Sequence, residues 1–190
     1  MAQNVKTFGA LAIASVKTVD GLAIASAKTI MGVDNTSAGG DTTFITSQSV
    51  GTDVSPLEEK GMKITVGVTP ITVTELALWG NVGQYSTTIL VYVRDSGGSS
   101  LGSVAVDTPS GSGVAGAYNW GTLSSPVALS ANTVYYIMTA ALAFNTVGSG
   151  GTSVTPTSAA TVDDTAFGQP PADEGTLPNR CYGPLNFKYH

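Results

Sequence analysis

Residues 87–107 read TTILVYVRDSGGSSLGSVAVD. Two runs, Thr87–Asp95 and Gly102–Asp107, flank a Gly/Ser cluster. Runs rich in β-branched and aromatic residues and bounded by turn residues read as strands. The same grammar extends outward. Upstream lie candidate strands Thr42–Gln48, Lys63–Val68 and Ile71–Trp79. Downstream lie Tyr118–Leu123, Thr133–Ala140 and a last pair around Thr152–Val162 and Leu185–Tyr189. Turn clusters separate them: GNVGQ at 80–84, PSGSGVAG at 109–116 and SSP at 124–126. Many short strands at regular spacing predict an all-β chain, with a single jelly-roll-like β-sandwich over residues 41–190. No segment carries a helical stripe. No βαβ unit and no Rossmann-type nucleotide site is therefore expected. Gly111-Ser112-Gly113 is a loop with no helix after it, which makes a poor phosphate cradle.

Residues 5–37 behave differently. Written in elevens they read VKTFGALAIAS, VKTVDGLAIAS and AKTIMGVDNTS. Lys6, Lys17 and Lys28 align, as do Thr7, Thr18 and Thr29, and Phe8, Val19 and Ile30 form an apolar column. Three such copies mark a repeat. Leu11, Ile13, Ser15, Lys17 and Val19 alternate with Ala12, Ala14, Val16 and Thr18. Period-two alternation argues for strand, and Asp20-Gly21 is a favoured two-residue turn. Ala and Leu also suit a helix, but the unit's Thr, Val, Ile and Gly and its low charge favour strand. So short a segment cannot bury a core alone. Residues 1–40 are thus expected to form an extended arm ending in a polar hinge, DNTSAGGD at 34–41. Leu11, Ile13, Val19, Leu22, Ile24 and Ile30 are the candidate oligomerisation or anchor residues.

Composition narrows the function. Of 190 residues, only 11% are charged, well below the roughly 25% usual in soluble domains. Few charges need desolvating when such a surface packs against copies of itself. The net charge is −5 and the 8 basic residues are scattered. Neither nucleic acid nor an anionic membrane is an expected partner. The apolar run Phe8–Ala14 has signal-peptide features. Its pattern returns at Leu22–Ala25, which marks it as a repeat unit instead. No apolar run approaches the ~20 residues of a membrane span, so a soluble chain made in the cytosol is expected. Cys181 is the sole cysteine, expected to be a half-buried inert side chain.

Catalytic chemistry is not expected. His190 is the only histidine and the last residue, a poor member of a triad or metal site. Three acid pairs, Glu58-Glu59, Asp163-Asp164 and Asp173-Glu174, read as solvated loop acids. Asp95, Asp163 and Asp164 lie among Gly, Ser and Thr, but no DxDxDG-type calcium loop is present. No cofactor is implied. Sugar recognition would use aromatic stacking platforms, for which Trp79, Tyr85, Tyr118 and Trp120 are candidates. The alternative is that each Trp caps the sandwich core.

Two resemblances add to this reading. The stretches ITVTELALWG (71–80), STTILVYVRDSGGSSLGSVAVDTP (86–109) and YNWGTLSSPVALSANTVYYI (118–137) resemble a non-catalytic jelly-roll family of bacterial surface and phage proteins. Carbohydrate-binding modules share this grammar. The VKTV-DG-LAIAS units resemble N-terminal segments of bacteriophage virion proteins, where they precede tail, fibre or head-decoration domains. PLNFKY (184–189) is similar to the closing strand of phage β-domains. These resemblances imply a virion structural protein, a capsid decoration, head fibre or tail fibre. It would be a homo-oligomer, trimeric by analogy, with other virion proteins such as the major capsid protein as partners. The alternative they imply is a carbohydrate-binding module that recognises a host surface glycan.

Overall fold

A computed structural model of the chain describes residues 40–49, 59–80, 87–140, 152–173, 175, 177–182 and 185–190, with the backbone of four short strands between 18 and 34. The chain divides into two compact units, Met1–Gly40 and Asp41–His190.

In the first unit, β1 (Thr18–Val19) pairs with β2 (Leu22–Ala23), and β3 (Thr29–Ile30) pairs with β4 (Val33–Asp34). Val19 faces Leu22 and Ile30 faces Val33. Two residues of sequence separate the strands of each pair. The second hairpin repeats the first eleven residues on, in the same register. Val19, Leu22 and Ile30 thus lie on these strands, while Leu11, Ile13 and Ile24 lie outside the described residues.

The second unit contains β5 (Thr42–Thr43), β6 (Ile45–Gln48), β7 (Lys60–Val66), β8 (Ile71–Trp79), β9 (Thr88–Asp95) and β10 (Ser100–Asp107). It continues with β11 (Tyr118–Leu129), β12 (Val134–Thr139), β13 (Thr152–Pro156) and β14 (Ala160–Phe167). It closes with β15 (Ala172–Asp173), β16 (Arg180–Cys181) and β17 (Leu185–Tyr189). The large sheet runs β10-β9-β12-β7-β14-β15. The small sheet runs β11-β8-β17-β5, and a further sheet runs β16-β13-β6. Every pairing is antiparallel. This is a β-sandwich, with no helix among the described residues.

Period two explains the core. Ile89, Val91 and Val93 of β9 are buried while Thr88 and Leu90 are exposed. Met62, Ile64 and Val66 of β7, Leu76 and Leu78 of β8, and Leu185 and Phe187 of β17 join them in one cluster. Fully burying each such side chain is worth roughly 1.5–3 kcal/mol. A smaller cluster of Tyr136, Met138 and Ala166, with Tyr92 beside it, lies apart from this core. The Arg94 guanidinium stands 4.5 Å over the Tyr92 ring. Arg94 is buried, donates to the Gly98 carbonyl at 3.0 Å and pairs with Glu59 at 2.8 Å.

The first strand of the domain changes partners at Phe44. β5 pairs with β17 and β6 with β13. The Asn186 side chain bridges the break. Its Oδ1 accepts from the Ile45 N–H at 2.8 Å, and its Nδ2 donates to the Ile45 carbonyl at 3.0 Å. Phe44 stacks on Phe187, ring centroids 4.3 Å apart. The break therefore leaves Ile45, a buried residue, with both backbone groups satisfied.

Several strand boundaries differ from the sequence reading. β7 starts at Lys60 and stops at Val66, leaving Val68 exposed in the turn before Pro70. β11 runs on past Ser124-Ser125-Pro126 to Leu129. Its register against β8 jumps from Thr122↔Glu75 to Val127↔Val73. The SSP cluster is thus an irregularity inside an edge strand, where a proline is tolerated. Residues 152–162 form parts of two strands in different sheets, separated by Thr157–Ala159.

Candidate functional site

Trp79 ends β8, and Tyr118 and Trp120 open β11. Tyr118 faces Trp79, and Trp120 faces Ala77. Alternation puts Ala77 and Trp79 on one side of the small sheet, opposite the core-facing Leu76 and Leu78. A Cβ added at Gly121 would meet the Val104 side chain of the opposing sheet at 2.7 Å, so position 121 points inward and Trp120 outward. The three aromatics therefore share the face of the small sheet opposite Leu76 and Leu78, a face on which Ala77 and its neighbour Asn186 are fully buried. Trp79 and Tyr118 meet edge to face at 5.2 Å, and Tyr118 and Trp120 lie 5.9 Å apart. All three are partly exposed. Neither tryptophan belongs to the main core cluster. Tyr85 lies outside the described residues.

Polar groups border the row. Lys188 Nζ stands 4.6 Å over the Trp120 ring and pairs with Glu75 at 2.9 Å. The Tyr118 hydroxyl donates to Gln48 Oε1 at 2.6 Å. Burial pushes the Tyr118 phenol well above its ordinary pKa. Glu75, Lys188 and Gln48 were not singled out from the sequence. Only Glu75 carried a signal there, because it shares the strand with Ala77 and Trp79. Lys188 reaches the row through the pairing of β17 with β8, and Gln48 meets it only at the Tyr118 hydroxyl.

The acids need correction. Asp163 and Asp164 are not solvated loop residues. They sit in β14 at a bulge, where the register passes from Val162↔Ile64 to Asp164↔Lys63. Asp163 accepts from the hydroxyls of Thr65 and Thr161. Asp164 is only 2% exposed. Its Oδ1 accepts from the backbone N–H groups of Thr165 and Leu177 at 2.8 and 3.2 Å. Glu59 pairs with the buried Arg94, and Asp173 pairs with Lys63 at 2.6 Å. Glu58 and Glu174 lie outside the described residues. The extra residue of the bulge brings acids from a strand onto threonine hydroxyls and backbone donors. Asp95 Oδ1 accepts from Gly97 and Ser99 N–H at 2.9 and 2.8 Å, closing the β9–β10 turn. Residue 190 is tied down too. His190 exchanges backbone hydrogen bonds with Thr72, and its Nδ1 lies 3.1 Å from Asp41 Oδ1.

Cys181 is fully buried rather than half-buried, and its thiol is pushed up to about 12 by desolvation. A folded pKa above the unfolded value means that its contribution to stability is whole below about pH 9 and is lost as pH rises toward about 12. Lys63, raised mainly by its hydrogen bond to Asp173, and Tyr118, raised by burial, act in the same direction. Stability measured by urea midpoint should therefore fall on the alkaline side. Cys181→Ala should make that limb shallower by up to one proton over this window. An unchanged slope would show that the thiol does not titrate with unfolding.

In comparisons with known proteins, no family model and no curated protein matches the chain.

Proposed function

We propose that this chain is a non-enzymatic structural component of a bacteriophage particle. It decorates or projects from the virion as a capsid decoration, head fibre or tail fibre, and assembles through its arm. The observation that carries this reading is the repeat. An eleven-residue unit recurs in the sequence, and two short antiparallel strand pairs recur with it in the same register. Strands of two residues are too short to be stable in water alone. A repeat of such hairpins gains its stability from neighbouring copies or a larger surface. The low charge of the chain favours that packing, because little desolvation opposes it. The resemblance of the VKTV-DG-LAIAS units to virion protein segments points to a trimer and to the major capsid protein as the surface.

The test compares the full chain with a 41–190 fragment. The full chain should scatter light as a symmetric homo-oligomer. The fragment should be a monomer that still melts cooperatively, because its strands close a core of their own. A full-length monomer at high concentration that also fails to bind capsids would sink the proposal.

A further inference from the structure

We infer that Asp41, Thr74 and His190 form a pH-set clamp on β5, shut in mildly acidic solution and loosened as His190 loses its proton. The inference goes beyond the virion reading and does not rest on it.

Three segments meet at the clamp. Asp41 is the first residue of the second unit and runs directly into β5. Its Oδ2 accepts from the Thr74 hydroxyl of β8 at 2.6 Å. Its Oδ1 lies 3.1 Å from Nδ1 of His190, which follows β17. His190 is itself fixed to β8. Its carbonyl accepts from the Thr72 N–H at 2.9 Å, and its N–H donates to the Thr72 carbonyl at 3.2 Å. The strand that the clamp holds has little else at this end. β5 is the end strand of the small sheet and pairs only through Thr43↔Lys188 and Thr42↔Tyr189. Its other end runs into Phe44, which is buried and stacked on Phe187.

Charge makes the clamp respond to pH. Imidazole changes charge between about pH 5 and 8. Protonated, His190 gives Asp41 a charge-assisted hydrogen bond, and neutral it leaves a weaker contact. Hydrogen bonds from Thr74 and His190 hold the Asp41 carboxyl below the usual carboxylate range. The carboxylate's contribution is therefore present throughout the imidazole range and is lost only as pH falls through that lowered value. Lys188 of β17 also acts on Asp41, and it pairs with Glu75 of β8 at 2.9 Å. Ammonium and carboxylate groups do not ordinarily titrate near neutrality, so that pair is a constant background and His190 supplies the slope.

His190 is the only histidine, so its imidazole resonances report its charge while amide exchange is read from the same full-length samples by NMR. After correction for intrinsic rates, protection of the Thr72 and His190 amides should fall about two- to five-fold across the imidazole titration, the effect of one exposed ion pair. The midpoint of that step should coincide with the imidazole titration. His190→Gln keeps a donor that does not titrate, and the step should vanish. Asp41→Asn keeps an oxygen for Thr74 but loses the charge, and the step should vanish although His190 still titrates. The Phe44 amide, which donates to the Phe187 carbonyl at 2.9 Å, should keep its protection in the parent and both variants, showing that the sheet stays folded.

Protection that stays flat across the titration in the parent would overturn the inference. A step that persists in Asp41→Asn, or whose midpoint departs from the imidazole titration, would overturn it as well.

Discussion

Gly61→Ala is expected to destabilise the domain by about 4 kcal/mol or more, among the largest effects a single residue produces. Gly61 lies in β7, between β12 and β14 in the middle of the large sheet. It faces Met138 on one side and Ala166 on the other. A Cβ at this position would stand 1.9 Å from the carbonyl oxygen of Ile137 and 2.9 Å from its carbonyl carbon. Those are backbone atoms, so no rotamer change relieves the clash. The strands must separate, which breaks ladder hydrogen bonds and opens the cluster of Tyr136, Met138 and Ala166. Overpacking that forces backbone shifts already costs 1–3 kcal/mol in ordinary cores. Here ladder pairing is lost in addition. Gly116 provides the contrast. Its φ is +74° and a Cβ there would meet nothing within 4 Å. Gly116→Ala should therefore cost only the left-handed backbone penalty of about 1–2 kcal/mol. Urea unfolding of both variants measures the difference. A Gly61→Ala variant within about 1 kcal/mol of the parent would show that the strands adjust freely.

The second large effect concerns assembly. Ile13→Asp combined with Ile24→Asp is expected to abolish oligomerisation or particle attachment while the sandwich melts as before. The two residues occupy the same place in successive units. Burying each against another chain is worth roughly 1.5–3 kcal/mol, and a carboxylate in its place would have to be desolvated without a partner. Left in water, Leu11, Ile13, Leu22 and Ile24 on a short arm would make an aggregation-prone patch. Light scattering and capsid co-sedimentation measure the outcome. Unchanged assembly would make the arm a tether and move the contacts to the sandwich faces.

The parts of this protein that were legible in its sequence are local. The β9–β10 hairpin follows from two β-rich runs about DSGGSS, and Asp95 closes that turn through its own side chain. The pairing of β1 with β2 follows the alternation read in the repeat. The all-β class follows from many such runs with no helical stripe. Trp79, Tyr118 and Trp120 were legible as aromatics at strand ends. That they form one row was not, because it depends on the register of β8 against β11, strands whose facing residues lie some forty positions apart.

Alternation and turn chemistry act over a few residues, so the sequence by itself determined the class, most strands, the repeat and the hairpin turns. Register, bulges and partner choice are set by contacts between distant segments. The tertiary structure alone decided that Pro126 lies within a strand and that β5 and β6 part at Phe44, held by Asn186. It alone buried Asp164 in a bulge and drew Lys188 across the Trp120 ring. In each case a side chain's surroundings come from a strand that the local pattern does not name.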